Sequence, residues 1–305
     1  MQFPGVPAEH AREAHLTALD TTGWTIVPDA IPASLLAQLN GMFDRVVGHP
    51  EHFPTAMASG RPADNGDGMV EFYRAYEIDP MCKVMMDLPT VFPIAEEAYR
   101  RRGGEIRLLS GPDCQHVPAD TGSSMHWHHD SAPVVEAWQR DGAQRPGVED
   151  GRFGGVMGGY LRLTYILSDL EPGGGGTAMV PGSHHLHGEI PDWANGPDGP
   201  RAIPGMVTLV ARAGSCVINW TRVWHTRTPN RSTTDTARRV FWQVYRRSDQ
   251  PVWAGDDINL TRQFVEAETD PARRRLLGAR GWEARWLEKV PRSSASSGSE
   301  GAARL

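Results

Sequence analysis

The sequence predicts a mainly β fold with flanking helices, in which two antiparallel sheets form a jelly roll, the double-stranded β-helix of cupin-like proteins. Two observations carry this prediction. From Glu105 the apolar period changes from about 3.6 towards 2, and short β-rich runs separated by Gly and Pro continue to residue 247. Helical patterns stand on either side of this region. Seven or eight short strands after a helical lead are typical of a double-sheet jelly roll.

Length and composition favour one domain. The 305 residues include 39% hydrophobic residues and ten Trp, which suffice for one sizeable core. We predict a single domain over residues 1–290, with a helical lead at 7–101, a jelly-roll core at 105–247 and C-terminal helices at 257–289. The remaining 291–305, mostly Ser, Gly and Ala, is expected to be disordered.

The helical lead alternates helices with short strands. Apolar residues at helical spacing indicate helices, whereas short β-branched and aromatic runs indicate strands. In chain order the predicted elements are a helix at 7–20, a strand at 24–28, a helix from Pro32 to Gly48, a strand at 70–76 and a helix at 80–101.

The jelly-roll core is predicted to contain seven strands, interrupted by two long insertions. Both insertions, 131–158 and 185–204, are rich in Gly, Pro and charge. Loops of that length are typical of lids and binding loops. The predicted strands are 105–117, 124–130, 160–168, 177–180, 206–212, 215–220 and 238–246.

Charge and cysteine content narrow the partners. A net charge of −6 without a basic stripe argues against nucleic-acid binding, so a small-molecule partner is expected. No apolar stretch reaches the roughly 18 residues of a membrane helix. Three widely spaced cysteines without CxxC spacing indicate neither a disulfide framework nor a thiolate zinc site. We therefore expect a cytoplasmic protein, and the sequence leaves its oligomeric state open.

A histidine and an aspartate two residues apart predict a metal site. In an extended strand, residues i and i+2 point to the same face, so His128 and Asp130 are expected on one side and His129 on the other. The best third ligand is His225, at the end of a strand-like run. Two histidines and one carboxylate form the facial triad of non-haem Fe(II) oxygenases. His126, which shares the parity of His128, is a rival ligand.

A second histidine cluster, His184, His185 and His187, follows a Pro-Gly-Ser turn. It could form another metal site, but histidines of a surface turn or lid are the favoured interpretation.

Four stretches occur in an order that resembles the phytanoyl-CoA dioxygenase family of Fe(II)/2-oxoglutarate oxygenases. The resemblance covers residues 15–250 and lies in the combination of motifs. The stretches are Trp127-His128-His129-Asp130, then Gly173 through Pro181-Gly182-Ser183-His184, then Trp224-His225 with Pro229-Asn230, then Arg238-Arg239 entering Val240-Phe241-Trp242.

The resemblance implies Fe(II) and O2 as cofactors and 2-oxoglutarate as cosubstrate, which is converted to succinate. The far carboxylate of 2-oxoglutarate needs a bidentate cation, a role that suits Arg. Arg238 matches the family's position once two extra residues are allowed after Asn230, and Arg239, on the opposite face, is the alternative. Tyr165 and Gln115 are weaker candidates for cosubstrate contacts, since either could be ordinary core or solvent-facing. Arg227 departs from the small Ser that many relatives carry.

The retained Asp130 bears on the reaction. Related halogenases carry Gly or Ala there, so the resemblance favours hydroxylation of an unactivated C–H bond of a small metabolite. Desaturation, epoxidation and ring chemistry use the same metal centre and stay open. Two alternatives are a zinc-dependent hydrolase or isomerase, which would not need Arg238, and a non-catalytic binding barrel. Residues of the two insertions are expected to select the substrate: Trp138, Arg140, Arg145, Arg152, Phe153, Met157 and Trp193.

Overall fold

A computed structural model describes residues 9–54, 56, 68–121, 125–130, 160–186, 190–197, 199–234, 236–248 and 260–278. Among these residues no helix is long and apolar enough to cross a membrane. The helices and strands, in chain order, are α1 (Glu9–Thr21), β1 (Trp24–Val27), α2 (Ala33–Gly48), β2 (Val70–Tyr73), α3 (Ala75–Ile78), α4 (Phe92–Arg100), β3 (Ile106–Val117), β4 (Leu161–Ile166), β5 (Thr177–Met179), β6 (Asn195–Gly196), β7 (Gly199–Pro200), β8 (Val207–Thr208), β9 (Cys216–Trp220), β10 (His225–Arg227), β11 (Arg238–Arg247), α5 (Arg262–Ala267) and α6 (Pro271–Leu276).

The strands form two principal antiparallel sheets. A six-stranded sheet has the order β1-β9-β4-β11-β3-β2, and a three-stranded sheet has the order β10-β5-β8. A short hairpin, β6-β7, stands apart from both. Neighbours in the sheets are mostly distant in sequence, as in a jelly roll. The predicted mainly β class with flanking helices is therefore confirmed.

The register of β11 divides the large sheet into two faces. Residues directly opposite each other share a face, and the face alternates along each strand. Val240 lies opposite Gln115 on one side and Ile166 on the other. Phe241, one residue later, lies opposite Tyr165. The Val240 face therefore looks towards the small sheet, and the Phe241 face looks towards the helices.

Helix α2 covers the Phe241 face of the large sheet with an apolar stripe at helical spacing. Its buried residues are Leu35, Leu39, Met42, Phe43 and Val46. Burial of each such side chain contributes about 1.5–3 kcal/mol to stability. A hydrogen bond also joins α2 to the end of β4, because Asn40 Nδ2 donates to Leu167 O at 2.9 Å.

The junction of α1 and β1 requires a glycine. Gly23 has φ +94°, in the left-handed region that glycine adopts without strain. A Cβ atom there would lie 2.3 Å from Val223 Cγ2 and 2.7 Å from His184 Nδ1. The left-handed backbone at Gly23 ends the helix at the predicted Thr22-Gly23 stop, and the close approach leaves no room for a side chain there.

Several predicted elements differ from the observed ones. The helix expected at 80–101 is two pieces, a 3-10 helix at Pro80–Asp87 and α4, with Pro93 in the first turn of α4. Of the strand expected at 124–130, the described residues 125–130 form one isolated bridge, at His128. The strand expected at 206–212 is reduced to β8.

Other predictions fall partly on residues outside the described ranges. Of the helices expected at 257–267 and 271–289, α5 and α6 are described. The insertion 131–158 and the tail 291–305 lie outside the described residues, so their expected roles and the domain boundaries stay predictions.

Candidate metal centre

Two of the predicted metal ligands face each other across one antiparallel bridge. His128 N donates to His225 O at 3.0 Å, and His225 N donates to His128 O at 2.9 Å. The two imidazole centroids are 4.2 Å apart. His225 begins β10, where it pairs with Met179 of β5, so the small sheet holds both histidines.

Asp130 completes the group. Its backbone N–H donates to Thr221 O at 3.1 Å, just beyond the end of β9. Its Oδ1 is 3.6 Å from His128 Nε2, and its Oδ2 is 3.7 Å from His225 Nε2. One ligand atom from each of the three residues lies within 4.8 Å of the other two. The structure therefore brings the predicted triad together.

The protonation of the triad suits a divalent metal. Nδ1 of His128 and Nδ1 of His225 contact the backbone carbonyls of His126 and Val223 at 2.8 and 2.7 Å. With Nδ1 as the donor, the lone pair of each Nε2 points into the site. The buried His225 Nε2 has no hydrogen-bond partner in the described part of the chain. A bound metal ion would satisfy it.

The ionisation states point the same way. Burial lowers the pKa of His225 to about 4, so its imidazole is neutral at neutral pH. Burial of the Asp130 carboxyl opposes ionisation, but the charge of Arg162 and the neighbouring histidines outweigh this effect and lower its pKa. A neutral His225 imidazole and an ionised Asp130 carboxylate beside His128 fit the Fe(II) facial triad.

The rival histidines lie elsewhere. His126 supplies a carbonyl to His128 rather than a ligand. The rings of His184 and His185 are tilted by 40° with centroids 3.8 Å apart, and both Nε2 atoms lie against Asp20 O. His187 is outside the described residues. A second group of three residues that could hold a metal, which sequence reasoning missed, lies on the surface at His49, Glu51 and His52.

Arg238 lies on the face of the large sheet that looks towards the small sheet. Its side chain is buried, and its Nη1 donates to Gln115 Oε1 at 3.1 Å. Gln115 in turn donates to Glu71 Oε1 at 3.0 Å. Burial, and then the charges of Arg227 and Arg162, lower the pKa of Arg238 to about 10. It remains a cation at neutral pH, and its buried Nε has no hydrogen-bond partner among the described residues.

Arg239 points to the helix face instead. Its Nη1 donates to Asn40 Oδ1 at 3.2 Å, and its Nη2 is 2.7 Å from Asp44 Oδ1. The placement of the two arginines thus follows the predicted parity, and Gln115 accompanies Arg238.

The placement of Tyr165 contradicts its predicted role as a cosubstrate contact. It lies opposite Phe241 on the helix face, with ring centroids 6.0 Å apart, and its hydroxyl donates to Met85 O at 3.3 Å. Tyr165 is thus an ordinary core residue, which was the alternative left open for it. Arg162 and Thr164 have the parity that faces the site.

Two arginines at the site were not predicted as functional residues. Arg162 Nη2 donates to Asp130 Oδ2. Arg227 is buried two residues after His225 in β10, with its Nη1 2.7 Å from Met69 Sδ. The sequence did contain a signal for Arg162, because it is a charged residue between Leu161 and Leu163 in a mostly apolar strand.

The described part of the insertion at 185–204 contacts Trp127, the residue before His128. Trp127 N donates to Asn195 Oδ1 at 2.7 Å, and Asn195 Nδ2 donates to Trp127 O at 3.0 Å. The Trp127 indole N–H donates to Arg201 O at 2.7 Å. We call these contacts of Trp127 with Asn195 and Arg201 the clamp. Trp193, two residues before Asn195, is 48% exposed.

Comparison with known families defines the class of protein. The family model described as phytanoyl-CoA dioxygenase (PhyH) matches residues 19–240. The chain therefore belongs to this family of Fe(II)- and 2-oxoglutarate-dependent oxygenases, and the triad agrees with the predicted iron and 2-oxoglutarate.

Solved structures show the same fold at low sequence identity. The non-haem epimerase SnoN from nogalamycin biosynthesis is 20% identical, with TM-score 0.55 over 79% of this chain and 82% of its own. HygX from Streptomyces hygroscopicus, with nickel, 2-oxoglutarate and hygromycin B bound, is 14% identical, with TM-score 0.55 over 79% and 89%. The carbocyclase SnoK is 17% identical, with TM-score 0.55 over 81% and 88%. No curated protein sequence matches significantly.

Proposed function

We propose that this protein is a hydroxylase of a small metabolite. One oxygen atom of O2 enters an unactivated C–H bond of the substrate, and the other enters succinate as 2-oxoglutarate loses CO2. The observation that carries the proposal is a complete triad with its carboxylate, Asp130, in the same interior as the buried cation of Arg238.

Each residue has a distinct part in this proposal. His128, Asp130 and His225 would hold iron from one side, which leaves three positions for cosubstrate and oxygen. Bound iron supplies the oxidising chemistry, with electrons from the cosubstrate. Arg238 would bind the far carboxylate of 2-oxoglutarate, because a guanidinium in a buried site lacks competing water and matches a carboxylate geometrically.

The same observations count against a zinc hydrolase or isomerase. Such an enzyme has no need for a buried guanidinium, and a buried charge without a partner is costly. Arg238 contacts the neutral amide of Gln115 and has an unsatisfied Nε among the described residues. An anionic cosubstrate would provide the missing partner.

The substrate is proposed to be a small metabolite bound beside the clamped 190–201 segment, where Trp193 offers an exposed indole. Structures of SnoN with nogalamycin RO and of HygX with hygromycin B support this class. Because SnoN is an epimerase and SnoK a carbocyclase, the outcome depends on which substrate atom faces the metal.

The test is a reconstitution with Fe(II), ascorbate, 2-oxoglutarate and a panel of small metabolites under ¹⁸O₂. Succinate release that rises with one substrate, together with a product carrying one ¹⁸O atom, supports hydroxylation. A product of unchanged mass indicates epimerisation, and loss of two hydrogens indicates desaturation or cyclisation. Succinate at the level of an enzyme-free control, in protein shown to contain iron, would overturn the proposal.

A further inference from the structure

We infer that Arg162 is a positioning residue that holds one oxygen of the Asp130 carboxylate and thereby directs the other oxygen to the metal. The inference rests on the metal centre of the proposed function. Its basis is the direct contact between Arg162 Nη2 and Asp130 Oδ2.

The backbone fixes both partners. Arg162 lies on β4, between β9 and β11, where it faces Asn219 and Val244 in the two registers. Asp130 is fixed separately, through the hydrogen bond from its N–H to Thr221 O. The ion pair therefore links the large sheet to the segment that carries His128 and Asp130.

The surroundings hold the guanidinium in place. The side chains of Arg162 and Asp130 are 22% and 17% exposed, so solvent screens their attraction only in part. The guanidinium carbon lies 5.9 Å from the centroid of the Trp242 ring, within range of a cation–π contact. Within the described residues, the salt bridge of Arg162 is the one to Asp130.

The two carboxylate oxygens have different tasks as a result. Asp130 Oδ1 lies 3.6 Å from His128 Nε2, whereas Oδ2 lies 3.7 Å from His225 Nε2 and is also hydrogen-bonded by Arg162. A carboxylate can bind a metal through one oxygen or two. If both oxygens of Asp130 bound iron, one position needed by 2-oxoglutarate or O2 would be blocked. Arg162 occupies Oδ2 and so favours a carboxylate that binds through Oδ1 alone.

The test measures metal binding without turnover. Metal-free wild type, Arg162→Met and Arg162→Lys are titrated with Co(II), whose visible absorption reports affinity and coordination number. Loss of a group that orients a metal ligand typically costs about 10-fold to 100-fold in affinity. We expect a loss of that size and an altered spectrum for Arg162→Met, and a partial return for Arg162→Lys, which keeps the charge but not the planar fork.

Arg239→Met is the matched control, because Arg239 lies on the same sheet but forms its ion pair with Asp44 on the helix face. It should bind Co(II) as the wild type does. Thermal unfolding of the metal-free proteins identifies any variant that fails to fold, in which case Arg162→Gln replaces Arg162→Met. Wild-type affinity and spectrum in a folded Arg162 variant would overturn the inference. A wild type that binds Co(II) but forms no succinate with Fe(II) would instead overturn the proposed function alone.

Discussion

His128 and His225 form a hydrogen-bonded antiparallel pair, so two metal ligands that are distant in sequence are held by reciprocal backbone bonds of 3.0 and 2.9 Å. Such pairs place their Cα atoms about 5.5 Å apart. The separation of the two imidazoles is therefore set by main-chain geometry, and their Nδ1 contacts to carbonyls fix the ring orientation. The site is organised by the sheet rather than by a flexible loop.

Removal of any ligand should abolish metal binding. We expect His128→Ala, Asp130→Ala and His225→Ala each to lose Fe(II) on dialysis and to form no succinate. The two ligands that remain in each variant would hold the metal too weakly. His129→Ala should retain iron, since alternation along extended backbone directs the side chain of residue 129 away from those of His128 and Asp130. Metal content measured after dialysis checks this. Loss of iron in His129→Ala with retention in His128→Ala would mean that the ligand register is shifted by one residue.

Arg238 rather than Arg239 should determine affinity for 2-oxoglutarate. Breaking a buried ion pair by removing one partner costs about 3–5 kcal/mol, so Arg238→Ala is expected to raise the KM for 2-oxoglutarate by at least about 100-fold. Arg239 pairs with the exposed Asp44, an interaction worth about 0–1 kcal/mol. Arg239→Ala should therefore change KM by less than about fivefold. The two KM values decide the matter, and the opposite order would assign the role to Arg239.

Asn195 should affect the metal site from a distance. Asn195→Ala leaves two backbone groups of Trp127 unpaired, at a cost of about 1–3 kcal/mol per buried group. We expect a lower free energy of unfolding and weaker Co(II) binding, because Trp127 precedes His128. Urea unfolding and Co(II) titration provide the measurements. Trp193→Ala, on the exposed neighbour, should leave both quantities unchanged, and an equal effect of the two substitutions would refute the clamp.

The metal-free protein should lose stability in mild acid. Burial lowers the pKa of His116 and of His184 to about 4, against about 6.5 in an unfolded chain. Between these values the unfolded chain binds protons that the folded chain does not, so the free energy of unfolding falls as pH falls from about 6.5 to 4. Each histidine contributes at most about 1.4 kcal/mol per pH unit.

Urea unfolding across this range measures the slope. His116→Gln should flatten it, whereas His52→Gln, at a side chain 68% exposed, should not. A stability independent of pH above about pH 5 would contradict the expectation.

The parts of the site that follow from local alternation were predictable from the sequence. Two such features are the shared side of His128 and Asp130 and the opposite faces of Arg238 and Arg239. Each depends on residues one or two positions apart, where the alternation of extended backbone applies directly. Tyr165 required the phase of β4 against β11, which is set by cross-strand pairing. That pairing runs in regular register from Val240 opposite Ile166 to Tyr245 opposite Leu161, and no pattern within one strand specifies it.

Contacts between distant segments were not predictable. The clamp between Trp127 and Asn195 joins residues 68 positions apart, and nothing in either local pattern specifies it. The split of the 80–101 helix had a local signal, because Asp79 caps Met81 N and Pro93 begins a new helix. The prediction of one helix at 80–101 relied on the helical spacing of apolar residues. A 3-10 helix buries a similar stripe, so this spacing did not distinguish the two.

The metal ligands His128 and His225 are carried by the three-stranded sheet, whereas Arg238 is carried by the six-stranded sheet facing it. The distance from the triad to Arg238 is consequently a distance between two sheets, and buried side chains such as Met179 and Val240 belong to the core that they share. We expect a change in the volume of these side chains to alter that distance. We predict that more molecules of 2-oxoglutarate would then be consumed for each molecule of metabolite oxidised.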